Sequence, residues 1–331
     1  MGHVGIIANP ASGKDIRRLV AYGTVVDNLE KVNIVRRLIL SLAATGVTKV
    51  TYMPEYYGII AGALANICSR HSPDMEFAAA DICVTGTQVD SCNAAVAMAN
   101  SGVDCIITLG GDGTNRLVAK GCRDVPILPI STGTNNVFPN LIEGTIAGMA
   151  AAVIAEGIVA GEPAIKPSKK LVIYKNGQPL DCAIVDAVIL KDSFIGSRAV
   201  WDVAKIRRIL VTRGEPHNIG ISSIPGNLVP VGPGEARGAD IEIGAGNLQI
   251  RAPIAPGLIE CVPVQKYRYI GIGEVVEVNE ACVIALDGER EIEVRRDEKV
   301  QIKLTFDGPR VIDAAAALTA AVARGYNIKG N

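Results

Sequence analysis

The sequence predicts an α/β chain in which an N-terminal, doubly wound parallel sheet is followed by a mostly antiparallel, all-β second domain. Three observations carry that reading. Short apolar runs alternate with helical patterns over roughly the first 150 residues, the rhythm of a parallel sheet wrapped by helices. From Asn218 to Phe306, apolar runs are instead separated by glycine and proline, as in GNLVPVGPGEARG and RAPIAPG, which predicts short antiparallel strands. Half the residues are hydrophobic (49%) and only 4% are aromatic, so the core is aliphatic, as α/β cores tend to be.

In chain order, His3–Ala8 reads as a strand and Asn9–Gly13 as the first strand-to-helix turn. Asn28–Ala44 has Leu29, Val32, Val35, Leu38, Ile39 and Leu42 at helical spacing, which predicts an amphipathic helix. Lys49–Met53 is a second strand, Tyr57–Arg70 a second helix, and Asp90 or Ser91 caps a helix ending at Asn100. Cys105–Leu109 is a strand apolar on both faces. A helix then starts at Asn115, a strand spans Val125–Ile130, and a helix over Leu141–Ile158 leaves the first domain. The character changes near Lys166-Pro167-Ser168. Lys170–Tyr174 and Pro179–Leu190 flank Asn176-Gly177, a strong hairpin signal. Ser197–Thr212 reads as a helix, basic on one side, that Trp201 helps to pack. Ala314–Arg324 is an alanine-rich helix expected to pack back on the first domain. The boundaries are therefore residues 1–150, 165–310 and 311–331, without internal repeats.

Composition narrows the classes of function. A net charge of −1 and a pI near 6.3 give no basic surface for nucleic acid or an anionic membrane, which leaves a small-molecule substrate. Eight cysteines are scattered without a CxxC pair, as in a reduced, cytoplasmic protein. The N-terminus lacks a signal-peptide pattern, and the apolar stretch Ile146–Ala160 is too short to span a bilayer. His3, His71 and His217 show no ligand spacing, so no protein metal ligands are assigned. Exposed β edges in the second domain point to a homo-oligomer.

The chemistry concentrates in Val103–Pro139. The central strand stops at Gly110-Gly111-Asp112-Gly113-Thr114, where three glycines in four positions allow a sharp turn, φ > 0 and close approach to a ligand. A helix begins just beyond, so its first amides face the same spot and favour phosphate. Asp112 is the one charge in that turn. A carboxylate beside phosphate needs a reason, and a general base or a metal contact supplies one; a helix cap or Asx turn is the structural alternative. A second polar turn, Ser131-Thr132-Gly133-Thr134-Asn135-Asn136, ends the adjacent strand, giving a crevice at the carboxyl edge of the sheet. Ser12, Gly13 and Lys14 offer a backbone nest and a point charge, with Asn9 bracing the turn. GxxxxGK[ST] and GxGxxG are both absent, which excludes a Walker-type site and a Rossmann hydride-transfer site.

These residues carry a resemblance. GGDGT after a buried strand is similar to the signature of NAD kinases, diacylglycerol-type lipid kinases and 6-phosphofructokinases. Asn9-Pro10-Ala11-Ser12-Gly13-Lys14 resembles the NPxSG turn of the lipid-kinase side. With GGDGTNR and GTNNVFP, the chain is most similar to the ATP-NAD-kinase-like branch that includes acetoin catabolism protein X, tightly over residues 1–140 and loosely beyond. The resemblance implies an ATP-dependent kinase using Mg²⁺, with NAD as the leading acceptor. Asp112 would then deprotonate the acceptor hydroxyl or sit near Mg²⁺. Gly110, Gly111, Gly113, Thr114, Asn115, Arg116, Thr132, Gly133 and Thr134 would line the phosphate site. Asn135 and Asn136 would contact purine or ribose, or else bond their own turn. On the acceptor side, Ala183–Ile189 resembles the family's Asn-acidic motif, but Val185 replaces the Asn and only Asp186 remains. Asp287-Gly288 resembles the Asp-Gly hairpin of the β domain, or is a plain type I′ turn. Ser222 and Ser223 lie in the best counterpart of a hydroxyl-rich dinucleotide loop, from which most hydroxyls are gone. The departures fall on the acceptor. The alternatives are therefore a kinase for another hydroxyl compound linked to acetoin metabolism, or a nucleotide-binding regulator without turnover.

Overall fold

The structure, a computed structural model, describes residues 1–13, 22–23, 25–65, 67, 74–133, 135–192 and 202–326. Lys14, His71, Thr134 and Trp201 lie outside the described residues. The N-terminal part runs β1 (Gly2–Ala8), α1 (Asn28–Ala44), β2 (Val47–Tyr52), α2 (Ile59–Ala65), β3 (Glu76–Ala79), α3 (Val89–Asn100), β4 (Cys105–Gly110), α4 (Asp112–Gly121), β5 (Ile127–Ser131) and α5 (Gly144–Ala155). The remainder is β6 (Ile165–Lys166), β7 (Lys170–Lys175), β8 (Gln178–Ala183), β9 (Asp186–Leu190), β10 (Ile206–Val211), β11 (Arg237–Ala255), β12 (Leu258–Gly271), β13 (Val275–Val278), β14 (Cys282–Leu286), β15 (Glu289–Val294), β16 (Val300–Thr305), β17 (Val311–Ile312) and α6 (Ala314–Ala323).

The first sheet has the order β3-β2-β1-β4-β5-β17-β6. Its strands from β3 to β17 are parallel, and β6 alone runs against its neighbour. β4, buried at every position, is central. One face packs against α1, α2, α5 and α6 through Val35, Leu38, Ala147, Ala151 and Ala317; the other packs against α3 and α4 through Ala94, Met98 and Val118. The strand order reverses between β1 and β4, and a crevice opens at such a switch point beyond the carboxyl ends of the strands. α6 packs on α5, with Ala317 and Ala321 in the same apolar cluster. The C-terminal part is antiparallel: one sheet β12-β11-β10-β9-β14-β15 and another β13-β16-β7-β8.

Several expectations are corrected. Residues 197–201 of the helix expected over Ser197–Thr212 lie outside the described residues; Val203–Lys205 is a 3₁₀ turn and Ile206–Val211 is the strand β10. β10 lies between β9 and β11, so pairing on both sides overrides its helical pattern. The hairpin around Asn176-Gly177, both with φ > 0, uses β7 and β8 only; Asp186–Leu190 joins the other sheet as β9. The strands after Asn218 are not all short, since β11 has 19 residues and β12 has 14. In α1 the face is shifted: Leu29 is exposed and Lys31 is buried. α4 starts at Asp112 rather than Asn115, and Asp90 lies in the first turn of α3.

Candidate functional site

A cavity of about 710 Å³ opens beyond the carboxyl ends of β1, β4 and β5. The turn after β1 and the start of α4 meet there: Asn9 Nδ2 donates to Thr114 Oγ1 at 2.8 Å, and the Asn9 amide donates to the Leu109 carbonyl. Asn9 Oδ1 accepts from the Ala11 amide, and Ser12 Oγ lies 2.9 Å from Thr132 Oγ1, so all three turns are tied together. Beneath the first turn, buried Lys31 donates to the carbonyls of Asn9 and Ser12 at 2.9 and 2.7 Å. Those carbonyls therefore face inward, away from the cavity.

Gly111 is the N-cap of α4 and has no side chain to cap it, which leaves the first amides of the helix uncapped where Gly111, Asp112, Gly113 and Thr114 line the cavity. Its glycines work by close approach rather than by the expected φ > 0. Gly110, Gly111 and Gly113 have no positive φ. A Cβ on Gly110 would instead lie 2.4 Å from the Thr114 side chain. Gly13 does adopt a left-handed φ of 76°.

Asp112 lines the cavity and is 9% exposed. Its carboxylate accepts the Phe138 amide at 2.8 Å and the Val137 amide at 3.1 Å, joining α4 to the turn after β5. This is a clamp between two segments, not the simple cap of its own helix. Asp287 sits across the cavity, in a hairpin turn with φ > 0 at both Asp287 and Gly288, as a type I′ turn has. Its carboxylate accepts from the amides of Ile184, Val185 and Asp186 at 2.8–3.1 Å. Burial pushes its pKa up, to about 7, against the pull of Arg116 and the amides.

Residues 4–158 match the ATP-NAD kinase N-terminal domain, and residues 169–307 match the acetoin catabolism protein X C-terminal domain. Acetoin catabolism protein X of Cupriavidus necator is 40% identical over 326 residues, covering 95% of this chain and 91% of that protein. The chain belongs to the acetoin catabolism protein X family. Among solved structures, a protein described as a diacylglycerol kinase from Bacillus anthracis is 16% identical with a TM-score of 0.46, over 94% of this chain and 97% of that one. An NAD kinase from Archaeoglobus fulgidus, solved with ATP, is 13% identical with a TM-score of 0.40, over 99% and 100%.

In this member of the acetoin catabolism protein X family, the cavity gathers Asn9, Ser12, Gly13, Gly111, Asp112, Gly113, Thr114, Gly133, Asn135, Asn136 and Asp287. The other expected site residues are elsewhere. Asn115 is fully buried, bonding Thr108 and the Gly111 carbonyl, and Gly110 and Thr132 stand behind the lining. Arg116, neither solvated nor part of the cavity lining, is 1% exposed and paired with Asp181 and Glu291 at 3.1 and 2.9 Å. Burial opposes its charge, but Asp181, Asp287 and Glu291 outweigh it and hold its pKa above the ordinary value. Asp186, Ser222 and Ser223 do not line the cavity; Ser223 is buried and donates to the carbonyls of Gly220 and Pro253. Val185 is fully buried in the cluster behind the sheet.

Sequence reasoning missed one whole wall, formed by Glu55, Tyr56 and Tyr57 after β2 and by Thr87–Ser91 at the start of α3. Asp90 holds that wall by accepting from Thr85 and Gly86. The only available signal was position, since both segments follow strands at the carboxyl edge. Glu289 was also missed, although it lies beside Asp287 in the turn that was considered. Among the described residues no helix is long and apolar enough to cross a membrane.

Proposed function

We propose that the chain transfers a phosphoryl group from ATP to the hydroxyl of a small molecule bound in the 710 Å³ cavity. The observation that carries this reading is the α4 N-terminus opening into that cavity beside Asp112 and the Asn9–Gly13 turn. Amides at a helix start favour anions. Phosphates would lie against the amides of Gly111, Gly113 and Thr114 and the inward-held first turn, with Asn135 and Asn136 towards the sugar or base. Asp112 would hold the hydroxyl proton. Phosphoryl transfer rests mainly on positioning and charge compensation.

Mg²⁺ is compatible with these residues. Among the described residues no three His, Cys, Asp or Glu side chains converge as a protein-only site. That suits an ion held mainly by phosphates and water, with one or two carboxylates from Asp112, Asp287 or Glu289. Such an ion would offset phosphate charge. The fit to NAD is poorer: Val185 offers no amide, and Ser222 and Ser223 lie away from the cavity. NAD is the first acceptor to test, and another hydroxyl compound is the alternative.

A second reading, nucleotide binding without turnover, is favoured by the engagement of the Asp112 carboxylate with Val137 and Phe138. Incubation with ATP, Mg²⁺ and NAD separates the readings. NADP formed by wild type and lost in Asp112→Asn supports the kinase with NAD as acceptor. Phosphate transfer only to other alcohols moves the acceptor, and ATP binding without any product leaves the regulator.

A further inference from the structure

Two aromatic side chains, Tyr56 and Tyr57, line the cavity while 73% and 65% exposed, and the phosphoryl transfer proposed above gives neither a part. Tyr56 is nonetheless held. Its hydroxyl donates to the Val84 carbonyl at 2.8 Å, which stretches the ring across the gap between the loop after β2 and the loop after β3. One side of the ring lies on Gly86, whose φ is 73° and where a Cβ would come within 3.3 Å of the ring. Both loops are themselves pinned. Glu55 accepts the amides of Tyr57 and Ile59 at the entry to α2, and Asp90 accepts the Thr85 and Gly86 amides and the Thr85 hydroxyl.

Holding an aromatic ring still while most of it faces solvent costs side-chain entropy and buries little apolar area. A second planar group laid on the open face makes that contact without further ordering of the tyrosine. The wall also has a sign. Glu55 and Asp90 stand in it, and no Lys, Arg or His among the described residues lines the cavity. Carboxylates and the electron-rich ring face both favour a cation over an anion. Position then decides which ligand the ring meets. In the sheet order β3-β2-β1-β4-β5, the wall rises after β2 and β3 while Asn135 and Asn136 follow β5, so the two flank the start of α4 from opposite sides. β2 and β4 are two strand spacings apart, about 10 Å, which a small ring compound spans with its hydroxyl at the phosphate site. With the nucleotide's sugar or base towards Asn135 and Asn136, this end is left to the acceptor.

We propose that the Tyr56 wall is the acceptor subsite, and that the acceptor is an alcohol carrying a planar ring that is neutral or positively charged. This deepens the kinase reading and rests on it in assigning the ring to the acceptor; the stacking site itself does not need it. Tyr56 is a specificity-determining residue there, since it selects for the ring and takes no part in the transfer.

Saturation-transfer NMR titration of wild type, Tyr56→Phe and Tyr56→Leu with three rings of similar size tests this: nicotinamide (neutral), N-methylnicotinamide (cationic) and benzoate (anionic), each with and without ATP. N-methylnicotinamide should bind best and benzoate worst. Tyr56→Leu should lose about tenfold in affinity for the first two, the scale of a lost aromatic stack. Tyr56→Phe should lose less, because the ring stays while its tie to Val84 goes. ATP affinity should not change, and the melting temperature should hold in Tyr56→Leu because the ring is mostly exposed. Absence of ring binding, or ring binding indifferent to Tyr56→Leu, overturns the proposal. Benzoate binding as well as N-methylnicotinamide overturns the charge preference. A selective loss of ATP affinity in Tyr56→Leu gives the wall to the nucleobase and overturns the acceptor assignment. Tyr56-dependent ring binding by a protein that does not bind ATP would keep the stacking site and sink the kinase. ATP turnover with ring binding and rate both indifferent to Tyr56 would do the reverse.

Discussion

The Asp112 carboxylate and the Phe138 amide meet at 2.8 Å, which locks the first turn of α4 to the turn that follows β5. The same carboxylate takes the Val137 amide, so the residue best placed to act on a ligand also holds two cavity walls together. Asp112→Ala should leave two amides without their acceptor and cost about 1.5–3 kcal/mol, read from urea unfolding. Asp112→Asn keeps one amide-accepting oxygen and should cost less, while removing the charge. If catalysis uses that charge, turnover falls far more in the Asn variant than stability does. Full turnover by Asp112→Asn would end its role as base.

Arg116 tests the structural assignment of a residue that the motif alone places at phosphate. Its partners Asp181 and Glu291 are 15% and 16% exposed, so water would recover part of their charge when the guanidinium is removed. Arg116→Met should therefore cost about 2–3 kcal/mol, below the 3–5 kcal/mol of fully enclosed pairs. The KM for ATP should not change at a temperature where the variant is folded. A selective rise in that KM would return Arg116 to the phosphate site.

The contrast between these two residues shows what was legible. GGDGT and NPASG could be read because the turn, the helix start and the strand before it are contiguous, and local chemistry fixes each. The partners of Arg116 lie 65 and 175 residues away and have no pattern linking them to it. The wall of Tyr56, Tyr57 and Asp90 comes from a loop and a helix start without a motif, joined only by the sheet order. β10 failed for a related reason: Ile206-Arg207-Arg208-Ile209-Leu210-Val211 fits either period, and its two antiparallel neighbours decide.

The glycines around Asp112 should differ sharply in tolerance. A Cβ on Gly110 would lie 2.4–2.6 Å from the short Thr114 side chain in the first turn of α4, so backbone must move. Gly110→Ala should cost about 1–3 kcal/mol and weaken ATP binding by disturbing the Asn9–Thr114 contact. On Gly111 the nearest atom is the Asn136 amide oxygen at 2.8 Å, the end of a side chain that can rotate. Gly111→Ala should be milder in unfolding and still alter nucleotide affinity. Equal effects at the two positions would mean that close approach is not what these glycines provide.

Asp287 gives the fold a pH dependence of definite sign. Burial raises its pKa from the ordinary 3.8 to about 7. Between those values the folded chain holds a proton that the unfolded chain has released, so stability falls as pH rises through this window. Asp287→Asn keeps a side chain that tolerates the left-handed turn and should flatten that decline. Urea midpoints at about pH 5 and pH 8 measure it; equal slopes for wild type and variant refute the shift.

Val185 decides whether the lost acceptor motif can be restored by one substitution. Its side chain is fully buried with Met98, Ile106 and Phe138, and its amide is already held by Asp287 at 2.8 Å. An Asn there would place a polar group among apolar neighbours instead of presenting an amide to the cavity. Val185→Asn should therefore cost about 1–3 kcal/mol and create no NADP-forming activity. The fold, rather than the missing amide alone, would then set the acceptor. If Val185→Asn instead folds as well as wild type and converts NAD to NADP, the side chain reaches the ligand, and the acceptor side of the cavity must extend behind β9.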